Sequence, residues 1–216
     1  IIVSPGTYGS ILVNKNVMIR SEYLANEELI YQTVIDAGSL SSAVIFDVDG
    51  TNETLSLSGF TITGGDAEQG AGIKIINSNP TLEKLVIYNN HTPTLGGEGG
   101  GIYCVGSSPN IINVTIADNF GTSGSGMFID DNSNPTIINS IIWNNSSSNP
   151  QQIVFPFEGS SIGMSLTYSD IENSDTWNTG PAHNYLIDFN INQDPLFIDN
   201  YYLDQESPCI DAGSPT

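Results

Sequence analysis

Along this chain apolar and polar residues alternate over runs of only three or four positions, and most runs stop at a Gly, a Pro or a pair of Asn. Between positions 73 and 76 the alternation puts Ile73 and Ile75 on one side and Lys74 and Ile76 on the other. Alternation this brief predicts short, half-buried strands. The 22 Gly and 11 Pro interrupt any helical periodicity before it completes three turns.

The runs recur as a unit of 25 to 29 residues with the same residue types at the same offsets. Gly72-Ile73, Pro80 and Asn89-Asn90 mark one copy. Gly101-Ile102, Pro109 and Asp118-Asn119 mark the next, and Gly126-Met127, Pro135 and Asn144-Asn145 a third. Between these marks Leu82, Ile111 and Ile137 fall in one column and Ile87, Ile116 and Ile142 in another, and both columns are predicted to face one continuous core. The frame extends back to residues 60–65 and forward to 169–174. A unit too short to bury its own face must stack on its neighbours. The prediction is therefore an all-β fold, a single-stranded parallel β-helix of about six to seven coils with strands about 4.8 Å apart. It forms one domain over 1–216, with irregular first coils over 1–65, regular coils over 66–174, and a degenerate last coil and closing segment over 175–216.

Charge narrows the partners. Only Lys15, Arg20, Lys74 and Lys84 oppose 24 acidic residues, for a formal charge of -20. Such a surface repels nucleic acid and anionic membranes, and no apolar run approaches the length of a membrane span. Neither nucleic-acid binding nor membrane insertion is expected. Strong acidity with so few Lys suits an extracellular or cell-surface protein among salt or divalent cations. Cys104 falls at an inward position and Cys209 about four coils further on, on the order of 19 Å at the strand spacing. A disulfide bridges Cα atoms no more than about 7 Å apart, so two free, buried thiols are expected.

The opening Val3-Ser4-Pro5-Gly6-Thr7-Tyr8, followed by Ile11-Leu12-Val13 and Val17-Met18-Ile19, resembles the first coil of the pectin-lyase-like right-handed β-helix superfamily. The tail is similar to the closing segment of its secreted bacterial parallel β-helix repeat members, through Asp194-Pro195-Leu196-Phe197-Ile198-Asp199, Tyr201-Tyr202-Leu203 and Ser207-Pro208-Cys209-Ile210-Asp211-Ala212-Gly213. The resemblance implies a right-handed coil and a bacterial, secreted setting. It leaves the activity open among polysaccharide lyases, glycoside hydrolases, epimerases, adhesins and members without chemistry. Members of that superfamily carry internal Asn ladders, and Asn90, Asn119 and Asn145 share one turn position here, where a structural ladder is expected. The chain begins inside a strand pattern, which predicts a segment of a longer protein and, through open coil ends, head-to-tail self-association.

Candidate chemistry is sparse. Lyases of the superfamily use a Lys or Arg base beside bound calcium, and Lys74 is the one basic residue at an outward position of the regular coils. Its plain alternative is a cross-strand pair with Asp47. Asp130-Asp131 is the adjacent acidic pair of the regular coils, and Asp49 in the same column is roughly 14 Å away. Asp66, Glu68 and Glu98 leave the stack at one corner of adjacent coils, where they either hold calcium through carboxylate oxygens or stand as solvated loop acids. Lys74, Tyr103 and Phe128 form an outward column that reads equally as a carbohydrate-stacking surface or as a sheet-stabilising ladder, and Tyr88 and Trp143 form a second, interrupted by Ala117. The expected function is an extracellular β-helix module with a structural, adhesive or carbohydrate-contacting role and no catalysis, its partners polysaccharide or cell-surface components. The alternative is a calcium-dependent polysaccharide lyase.

Overall fold

The computed structural model describes residues 1–22, 32–48, 54–93, 95–146, 151–156, 163–174 and 184–214. Their strands make three parallel sheets, which the chain visits in the order A, B, C on each circuit as far as Ile153–Val154, the last described strands following as A, B, A. Sheet A has eight strands, from Ile2–Val3 to Asn184–Asp188. Sheet B has seven, from Gly6–Tyr8 to Asp170–Ile171, and sheet C six, from Ile11–Val13 to Ile153–Val154.

The repeat sets the register. Leu82 pairs with Ile111 and Ile111 with Ile137 in sheet A, while Ile87, Ile116 and Ile142 pair in sheet B. All six are fully buried, so both predicted columns face the core. Sheet C adds two inward columns, Ile73-Ile102-Met127 and Ile75-Cys104-Ile129. Each fully buried Ile or Leu contributes about 1.5 to 3 kcal/mol relative to exposure, and the core is continuous because each side chain lies on its equivalent one coil away.

The Asn pairs divide into two tasks. The first member, Asn89, Asp118 or Asn144, takes a left-handed backbone (φ 52, 53 and 55) that turns the chain out of sheet B, a conformation Asn and Asp tolerate better than most side chains. The second member points inward. The Asn90 amide donates to Asn119 Oδ1 at 2.9 Å, and the Asn119 amide to Asn145 Oδ1 at 2.9 Å. Each of those oxygens also accepts the backbone N–H of the Asn before it. The ladder starts at the Gly65 N–H and continues beyond Asn145 through Gln152 to Glu172. It explains the recurring Gly as well. A Cβ on Gly101 would lie 2.6 Å from Ile116 Cγ2 and 2.5 Å from the Gly126 carbonyl, because there the backbone crosses directly over the ladder and the core.

Two further ladders were not distinguished in the sequence. Ser78, Ser107 and Ser133 link successive coils at the exit from sheet C, and Ser140 and Ser169 do so at the entry to sheet B, each hydroxyl accepting a backbone N–H from the coil below. The closing segment also departs from expectation. After residue 193 the chain does not continue the stack. It folds back along the outside of sheet B, where Tyr201 reaches Asp118, and then returns, so that Cys209 meets Asp170 and the Ser214 N–H binds Asn139.

Candidate functional site

The returning segment and the outward face of sheet B enclose a cleft of about 600 Å³. Sheet B presents Tyr88, Ala117 and Trp143 in one column, because 88, 117 and 143 are register partners. Ala117, the interruption in the aromatic series, is buried and lines the same cleft as Tyr201. The Tyr201 ring lies 5.2 Å from Tyr88, centroid to centroid, and edge-on to Phe197 at 5.4 Å. Its hydroxyl donates to Asp118 Oδ2 at 2.6 Å, while Asp118 Oδ1 accepts the Asn144 amide. Asp194 stands at the same cleft, shaped by an Asx turn in which its Oδ1 accepts the Leu196 N–H. Four aromatic rings and two carboxylates that the sequence spreads over residues 88 to 201 therefore meet at one cleft. The signal that could have found them is the Ala within an aromatic column: a gap in a flat face invites an inserted ring.

The first aromatic column, read equally as a sugar-stacking surface or as a sheet-stabilising ladder, is covered. Lys74, Tyr103 and Phe128 are aligned as predicted, but Tyr103 and Phe128 are only 3% and 5% exposed. They stack on each other at 5.8 Å and pack with Val105 and Val154. The column is a packed ladder and offers no open face to a sugar; alternation decides which side of a sheet a residue takes, not whether that side is covered. The Tyr103 hydroxyl donates to Asp130 Oδ2 at 2.5 Å. Burial, and then that bond and the neighbouring negative charge, hold this phenol well above the ordinary tyrosine range.

Lys74 lies over the Tyr103 ring and donates to Gln69 Oε1 at 3.2 Å. Its partner in the preceding coil is Ile45, since Asp47 pairs with Ile76, so the expected Asp47 to Lys74 pair is two residues out of register. At the proposed calcium corner, Glu98 pairs with Gln69 and takes its amide at 3.0 Å, while Asp66 is aligned with His91. The Glu98 N–H binds the Glu68 carbonyl at 2.9 Å, so these two meet on adjacent coils through their backbone, and among the described residues no three His, Cys, Asp or Glu side chains gather around a point that a metal could fill. Asp49 lies outside the described residues.

Both cysteines are free, as expected. Cys104 is fully buried, whereas Cys209 is only half-buried, because the tail folds back instead of adding a coil. Its thiol lies 3.0 Å from Asp170 Oδ2, and burial with the adjacent carboxylate pushes it up to about 12. Burial likewise raises Asp170, against the opposing effect of hydrogen bonds from Cys209 and the Gln193 N–H. A carboxyl raised on folding contributes stability that is present below its unfolded value, about 3.9, and lost as pH climbs through the folded value. An Asp170→Asn variant should therefore gain in unfolding temperature relative to the parent as pH rises from about 4 to about 7. A gap that stays constant or closes would show that Asp170 is not destabilised by its burial.

The family model described as the right-handed beta helix region matches residues 32–202. Comparisons with curated proteins and with solved structures returned no match.

Proposed function

The chain belongs to the right-handed β-helix family, and on that premise we propose that it is an extracellular or cell-surface module that binds carbohydrate without transforming it. The observation that carries this reading is the cleft of Tyr88, Trp143, Phe197 and Tyr201 beside Asp118, Asp194, Asn144 and Asn200. A sugar ring offers an apolar C–H face and a rim of hydroxyls. Aromatic rings meet the first, and fixed carboxylate and amide groups the second. Asp118 suits the role of a fixed acceptor, since Tyr201 and Asn144 hold its two oxygens in place. Lys74, the candidate lyase base, is engaged with Tyr103 and Gln69 on sheet C, away from this cleft.

Calorimetry against a panel of soluble oligosaccharides tests the proposal. Trp143→Ala should weaken binding by at least about tenfold while leaving the β-sheet spectrum unchanged, as loss of a central aromatic contact does elsewhere. The parent should release no ultraviolet-absorbing unsaturated products from pectate or alginate in the presence of calcium. Binding indifferent to Trp143 would remove the cleft as its site, and lyase activity abolished by Lys74→Ala would replace this reading with the lyase alternative.

A further inference from the structure

We propose that the cleft is selective for a cationic amino sugar, a chain of glucosamine units bearing free ammonium groups, over neutral or uronic-acid sugars. The inference rests on the carbohydrate reading above and adds the charge of the ligand.

Among the described residues, the cleft is lined by two carboxylates, two amides and four aromatic rings, with no Lys, Arg or His. The aromatic faces carry negative potential, so an ammonium held over Tyr88 or Trp143 is attracted by the ring itself and by Asp118 or Asp194 beside it. Tyr201 contributes twice. Its ring forms part of the wall, and its hydroxyl, by donating to Asp118, fixes one carboxylate oxygen at the cleft. A uronate brought to the same place would meet two carboxylates without a counter-charge, within the field of a chain whose formal charge is -20. An N-acetylated sugar presents the same ring but a neutral amide, so it keeps the stacking and loses the charge.

A protein this acidic attracts any polycation, so the test must separate a built site from general attraction. Binding of hexamers of glucosamine, N-acetylglucosamine and galacturonic acid to the intact chain, measured by calorimetry at mildly acidic pH, gives the comparison. Spermine serves as a cation without sugar rings. The glucosamine hexamer should bind about tenfold or more tighter than the N-acetylated one, and the galacturonate hexamer should not bind. Asp118→Asn with Asp194→Asn should abolish that preference, lowering the glucosamine affinity far more than the N-acetylated one, while Trp143→Ala should weaken both sugars much more than it weakens spermine. Added salt should narrow the preference by screening.

Equal affinity for the two amino sugars would overturn the charge selectivity and leave the carbohydrate reading in place. If no hexamer binds, both readings fall together. If glucosamine binds no better than spermine and ignores all three substitutions, the attraction belongs to the whole acidic surface and the cleft is not its site.

Discussion

Asn119→Ala should lower the unfolding free energy by about 2 to 6 kcal/mol, from loss of hydrogen bonds and with little change in apolar burial. The Asn119 amide donates to the carbonyls of Ile87 and Ala117 and to Asn145 Oδ1, and its oxygen receives both the backbone and the side-chain N–H of Asn90. The residue is 1% exposed, so water cannot take over these partners. Each buried donor or acceptor left unpaired costs about 1 to 3 kcal/mol, and at least two are orphaned here, since Asn145 Oδ1 keeps the Asn119 backbone N–H and the Asn90 amide keeps other carbonyls. Denaturant unfolding beside Asn110→Ala, an exposed outward position of sheet A that should change by less than about 0.5 kcal/mol, provides the measurement. A loss below about 1 kcal/mol at Asn119 would mean that the ladder is ornamental to stability.

Ile116→Ala should follow closely, with a loss of about 2 to 5 kcal/mol. Ile116 is fully buried between Ile87 and Ile142, and its Cγ2 methyl lies against the glycine at 101. In a globular core the neighbours of a deleted side chain relax into the void. Here the coils above and below are held apart by backbone hydrogen bonds and three side-chain ladders, so the cavity stays open and the cost falls at the upper part of that range. A loss under about half a kcal/mol would contradict the burial of this column.

How much of this was legible follows from what a repeat encodes. Ile87, Ile116 and Ile142 could be placed in the core because the same offset carries an apolar residue in every copy, and Asn90, Asn119 and Asn145 could be placed in one ladder for the same reason. The Ser ladders obey the same logic, but Ser is common throughout the chain and its recurrence does not stand out. Lys74 was paired with the wrong residue because strands of alternating sequence look alike after a shift of two positions, which keeps every side chain on its own face. Burial of Tyr103 and Phe128 was not readable at all, since the pattern reports sides and not layers. Least legible was the cleft. Phe197 and Tyr201 follow the repeat rather than belong to it, and nothing periodic tells where a non-repeating segment will come to rest.

A plain stack of coils, in which each touches only the next, can be peeled from its end one unit at a time. The strap formed by residues 194–214 changes that. Its contacts at Tyr88, Asp118, Asn139 and Asp170 lie on four successive coils and so join units that share no direct contact of their own. A force applied at the C-terminal end therefore loads the strap first, in shear across the outside of sheet B, before the last coils can unzip. The same clasp works as a length gauge: inserting or deleting one coil between residues 118 and 170 would move Tyr201 about 4.8 Å off its acceptor, so growth of the stack there would require a matching change in the strap.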